Sequence, residues 1–98
     1  MTTVPVPAPA RAEILRDVRA ILAEQMGVAP SAAIDEETRF FADLGLASID
    51  AVVLSEALQQ HYAQPLPFHD LMAEIGRRTD RDLAIGELVE FLETHLAS

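Results

Sequence analysis

Phe40-Phe41-Ala42-Asp43-Leu44-Gly45-Leu46-Ala47-Ser48-Ile49-Asp50 is the stretch on which the reading of the chain turns. It is apolar at first, breaks at Asp43-Leu44-Gly45, and then sets one hydroxyl, Ser48, ahead of a new apolar run. From Ser48 to Tyr62 the residues Ala51, Leu54, Leu58 and Tyr62 recur at helical spacing, which predicts an amphipathic helix starting at Ser48. Serine is a favoured helix N-cap, because its oxygen accepts a backbone N–H of the first turn. Asp50 in that turn complements the helix dipole. The same position is also a ready anion site, since a phosphate on Ser48 would meet free N–H groups and the positive end of the dipole. From the residues alone, Ser48 is either a cap or a point of attachment.

Working outward, residues 27–47 form a long connection. Ile34, Phe40, Phe41, Leu44 and Leu46 are too apolar for a free loop, so it is expected to lie on the core, with Pro30 and Ser31 opening a turn. Before it, Ile14, Leu15, Val18, Ile21, Leu22 and Met26 make one stripe, which predicts a helix over residues 10–26 closed by Gly27. After Tyr62, Gln64-Pro65-Leu66-Pro67 stops the second helix. Phe68, Leu71, Met72 and Ile75 predict a short third helix ended by Gly76. The mixed charges of residues 77–82 read as a solvated loop. A last helix over residues 85–96 turns Ile85, Leu88, Val89, Leu92 and Leu96 inward, with Gly86 a weak point in its pattern. Residues 1–9, small and proline-rich, read as a disordered tail ahead of one domain over residues 10–98. The expected fold is all-α: a small four-helix bundle, three main helices and a short third, with a long loop between the first and second.

The 98 residues carry a formal net charge of −9 and no cysteine, so disulfides, thiolate metal sites and a cysteine nucleophile are excluded. Such acidity disfavours nucleic acid and anionic membrane surfaces and suits a partner with a basic face, unless it serves solubility alone. No apolar run reaches the ~20 residues of a membrane helix, and no secretory signal pattern opens the chain, so a cytoplasmic protein is expected. His61, His69 and His95 lack the spacing of a metal pair, and none is expected to bind metal. Ser48 lacks the second glycine of a nucleophile elbow and has no strand before it, which argues against a hydrolase. Ile49, Val52 and Val53 lie off the buried stripe of their helix. Either they pack beneath the long connection or they form an apolar patch beside Ser48, of the kind that marks a partner contact.

The run from Asp43 through Leu44, Gly45, Ser48 and Asp50 to Val52 and Leu54 resembles the acyl carrier proteins of fatty-acid and polyketide type, whose motif reads acidic-Leu-Gly-small-Asp-Ser-Leu-Asp-x-V-x-L. The resemblance continues through Ala57-Leu58, Tyr62 and Leu66-Pro67, and Asp82 to Val89 is similar to the entry of the family's last helix; in all it spans residues 11–96. It implies a 4′-phosphopantetheine arm on Ser48, joined by a phosphodiester, whose thiol holds an acyl group as a thioester. That agrees with a chain lacking cysteine. It implies no enzymatic activity. It also implies a phosphopantetheinyl transferase and acyl-loading, condensing and modifying enzymes as partners, docking on the second helix.

Certain residues depart from the family's pattern. Ala47 stands where Asp usually precedes the serine, and Val53, Gln59 and Gln60 stand where Glu is common. Glu56 replaces a common hydrophobe, and residues 68–82 are longer than in the shortest members. The thinned acids point to a specialised pathway and to docking through Ile49, Asp50, Val52, Val53 and Glu56, with the valines in the lead. A discrete, monomeric acyl carrier is expected, the chain's start at Met and its stop soon after the last helix being read as those of a stand-alone protein. The alternatives are an aminoacyl or peptidyl carrier of a nonribosomal pathway and an unmodified helical interaction protein.

Overall fold

Each apolar stripe becomes the buried face of a helix in the computed structural model, which describes residues 10–28 and 34–96. The helices are α1 (Arg11–Gln25), α2 (Ser48–Tyr62), α3 (Phe68–Arg77) and α4 (Ile85–His95). α1 buries Ile14, Val18, Ile21 and Leu22 and ends where Gly27 takes a φ of 71°, a left-handed conformation that costs glycine little. α2 buries Leu54, Ala57 and Leu58 and stops at Ala63, also left-handed (φ 54°), whose N–H returns to the last carbonyls of the helix. Gln64 and Pro65 follow, and the proline cannot extend the helix. α4 buries Ile85, Leu88, Val89 and Leu92, and Leu96 packs below them. With Phe40 from the connection and Leu83 ahead of α4, these side chains make one apolar core. Truncating a fully buried member such as Leu58 would cost about 2–5 kcal/mol.

The four-helix, all-α bundle is as expected, but α3 is longer than the sequence suggested. It spans 10 residues against 11 for α4, and Gly76 lies within it rather than ending it. The stripe Phe68, Leu71, Ile75 carries the helix past the glycine. One turn on, Arg78 bridges Glu74 (3.5 Å) and Glu87 (2.6 Å), fixing the end of α3 against α4. The cost of a helical glycine, about 1 kcal/mol, is offset by that packing. The expected tail at residues 1–9 and turn at Pro30 and Ser31 lie outside the described residues.

Ile34 and Phe40 are buried, so the connection between α1 and α2 lies on the core as its composition predicts. It is fastened to the start of α4 through the backbone. The Phe40 amide donates to Leu83 O (2.9 Å), Ile85 N–H to Thr38 O (2.8 Å) and Gly86 N–H to Glu36 O (2.7 Å), with one isolated antiparallel bridge between Arg39 and Ala84. Gly86 is therefore no weak point. A Cβ there would lie 2.9 Å from both the Cβ and the carbonyl oxygen of Glu36, so only glycine admits so close an approach. Arg11 of α1 clamps the same junction, its Nε donating to Glu36 Oε1 (2.6 Å) and an Nη to Gly86 O (3.3 Å).

Nor is the segment 77–82 simply a solvated loop. The Asp82 carboxylate accepts the N–H groups of Phe41 (3.0 Å), Ala42 (3.1 Å) and Leu83 (2.8 Å). Partial burial opposes its ionisation, but these three donors, with Arg39 nearby, outweigh it and hold the carboxyl below its usual range. Asp82 thus pins the residues just upstream of Ser48. None of the described helices is long and apolar enough to cross a membrane.

Candidate functional site at the start of α2

The turn before α2 is built from local polar contacts. Asp43 Oδ2 accepts the Arg39 amide (2.8 Å), the Gly45 amide reaches Phe41 O (3.1 Å), and Gly45 takes a φ of 67° that reverses the chain. Ala47 then extends (φ −109°, ψ 173°) and is the N-cap; Ser48 is the first residue of α2. The cap expectation for Ser48 is therefore corrected. Alanine has no side-chain acceptor, and Asp50, three residues on, reaches back so that its Oδ2 accepts the Ala47 N–H at 2.8 Å. That is the acidic half of a capping box.

With Asp50 in that role, Ser48 is exposed and its hydroxyl makes no hydrogen bond within the described residues. Ser55, about two turns further along α2, differs: its hydroxyl donates to Val52 O at 2.7 Å. The Ser48 and Ile49 amides find no backbone acceptor among the described residues, so the first turn presents free donors beside the free hydroxyl. Ser48 borders an open cleft of about 270 Å³, whose apolar lining is Phe41, Met72 and Ile75 and whose rim includes Gly76 and Arg81.

The outer face of α2 is apolar. Ile49 is 67% exposed, Val52 49% and Val53 42%, so all three stay out of the core and form a patch beside Ser48. Glu56 is exposed one turn beyond, while Asp50 is half-buried with its carboxylate turned back to the cap. Toward the other end, the Tyr62 hydroxyl donates to Asp17 Oδ2 (2.8 Å), tying α2 to α1. Burial, together with that carboxylate, pushes its phenol well above the ordinary range.

The histidines do other work. His61 lies 3.5 Å from Asp17, His95 Nδ1 lies 2.8 Å from Phe91 O, and His69 is exposed on α3. No cluster of His, Cys, Asp or Glu suited to a metal ion occurs among the described residues. Sequence reasoning overlooked Arg81, which looked like one charge in a mixed run, and the part of Met72 in the cleft. Only the return of α3 past Ser48 brings them there.

A free serine hydroxyl thus stands on the first turn of a helix, flanked by free amides and an open cleft. Residues 16–92 match the family described as Phosphopantetheine attachment site. The chain is similar to the acyl carrier protein of Wolinella succinogenes, with 28% identity over 82 residues, 84% of this chain and 96% of that protein. It is likewise 28% identical over 80 residues to the acyl carrier protein of Helicobacter pylori strain G27, covering 82% of this chain and 91% of the relative. The chain belongs to the acyl carrier protein family.

The family's covalent group is 4′-phosphopantetheine. The geometry around Ser48 fits it. The exposed hydroxyl can become an ester oxygen without breaking any contact of the fold, the α2 first turn offers N–H donors to a phosphate, and the cleft has room for part of an arm.

Proposed function

We propose that Ser48 is the attachment residue and that the protein carries acyl intermediates for a specialised fatty-acid or polyketide-type pathway. The observation that carries the attachment is the exposed hydroxyl of Ser48, which has no partner among the described residues while Asp50 does the capping. The bound arm supplies a terminal thiol for thioester linkage, which this cysteine-free chain lacks. On modification the Ser48 oxygen attacks the pantetheine-side phosphorus of coenzyme A, the pyrophosphate P–O bond breaks and adenosine 3′,5′-bisphosphate leaves. The hydroxyl proton passes to solvent, so that the serine oxygen becomes one ester oxygen of a phosphodiester. The amides at the start of α2 and the positive end of its dipole face that charge. The chain performs no catalysis on the cargo. It presents Ser48 to a transferase and then the arm to loading, condensing and modifying enzymes, which dock on Ile49, Val52, Val53 and Glu56, with Asp50 at the edge. The exposed apolar patch supports docking led by the valines and the isoleucine.

The test is intact mass after incubation with coenzyme A, magnesium and a phosphopantetheinyl transferase. Wild type and Ser55→Ala should each gain one phosphopantetheine, and Ser48→Ala should gain none. Absence of any gain in wild type with every transferase tried, or a gain in Ser48→Ala, would overturn the assignment.

A further inference from the structure

Arg81 has a place in the cleft that no contact of the fold explains. Three arginines near the loops are engaged, Arg11 with Glu36 and Glu93, Arg39 with Asp80 (2.9 Å) and Arg78 with Glu74 and Glu87, while Arg77, also without such a partner among the described residues, does not line the cleft. The two acids flanking Arg81 in sequence are turned elsewhere, Asp80 to Arg39 and Asp82 to three backbone amides. Arg81 has no ion pair or hydrogen bond among the described residues. It is the one cation among the residues lining the cleft that contains Ser48, on a chain whose formal charge is −9.

We propose that Arg81 is an anion-binding residue for the phosphodiester of the arm on Ser48. The inference rests on the attachment assigned above. A phosphodiester on Ser48 Oγ would lie beside the free amides at the start of α2 and at the cleft that Arg81 also lines, within the field of both. Guanidinium and phosphate match as a charge-assisted, bidentate pair. Held there, the arm begins its course over Phe41, Met72 and Ile75 instead of pointing away from the bundle. Arg81 is thus a positioning residue that sets the direction in which the arm leaves Ser48.

The test uses protein loaded with the arm but no cargo, so that the phosphodiester is its one added anion. Mass spectrometry first establishes loading on Ser48; failure at that step sinks the attachment assignment and this inference together. In the loaded protein, the Arg81 Nε–Hε resonance should shift by more than its linewidth relative to the unloaded form. Nuclear Overhauser contacts should join the arm's methyl groups to Met72 and the Phe41 ring. Arg81→Gln should still load but lose those contacts, and Arg77→Gln should keep them. With loading established, an unmoved Arg81 resonance, or arm contacts that persist in Arg81→Gln, would overturn the inference and leave Ser48 as the attachment residue.

Discussion

Asp50 Oδ2 accepts the Ala47 N–H at 2.8 Å, and through that bond the start of α2 is held by a residue other than Ser48. The capping role has moved two residues along the chain. The serine is left as a side chain the fold does not use.

Stability should therefore separate the two residues. Ser48→Ala should change unfolding free energy by no more than about 0.5 kcal/mol, whereas Asp50→Ala should lose about 1 kcal/mol. Urea denaturation of the unmodified proteins measures both. A larger loss for Ser48→Ala than for Asp50→Ala would mean that the serine caps the helix after all.

The two helical glycines should respond in opposite directions to alanine. At Gly76 a Cβ would meet nothing within 4 Å, so Gly76→Ala should stabilise by about 0.5–1 kcal/mol through helix propensity. At Gly86 the same Cβ would collide with the Glu36 backbone and side chain at 2.9 Å. The overpacking cost, about 1–3 kcal/mol, should exceed the propensity gain, and Tm should fall. Equal responses would show that the α4 junction is looser than this contact implies.

Acid should act partly through Asp82. Its carboxyl ionises below its usual range in the fold and near ~3.9 in the unfolded chain. Its contribution is therefore complete above the unfolded value and is lost as pH falls through the folded one. Asp82→Asn should lose about 1–3 kcal/mol at pH 7 and should show a shallower decline than wild type on acidification from pH 5 to pH 2. Parallel declines for the two proteins would exclude Asp82 as an acid-labile fastening.

Docking should depend on the valines more than on charge. With Val52 and Val53 exposed and Asp50 turned to its cap, the α2 face offers a partner little negative charge. Val53→Glu should weaken binding to the cognate enzyme by roughly 1–3 kcal/mol, because a carboxylate would be placed against an apolar surface. The fold should be unchanged, and wild-type affinity should fall only mildly as salt rises. Tighter binding by Val53→Glu, or steep salt dependence in wild type, would assign docking to charge.

The helices were legible because Ile14, Val18, Leu54, Leu58, Leu88 and Leu92 repeat at helical spacing and each is buried. Ser48 stood out because a lone hydroxyl opened such a run, and the patch because Ile49, Val52 and Val53 broke the stripe. What escaped were contacts between residues far apart in sequence. Gly86 looked costly because its partner, Glu36, is 50 positions away, and Asp82 looked solvated because its donors are Phe41 and Ala42. Asp50 was assigned to the dipole, which does not say whether its carboxylate points outward or back to Ala47. Periodicity registers burial, but says little about which backbone groups a side chain will meet.

The backbone bonds that join Phe40, Thr38 and Glu36 to Leu83, Ile85 and Gly86, respectively, also carry an expectation for the order of assembly. The loop leading to Ser48 has no long-range backbone partners among the described residues except at the entrance of α4, more than 40 positions later in the chain. A contact of that separation closes late, after the local helices have formed. On a ribosome, α1 and α2 can form and pair first, while the approach to the serine takes its final shape only when α4 has emerged. Amide protection at Phe40 and Gly86 should accordingly appear together during refolding, and later than protection within α2.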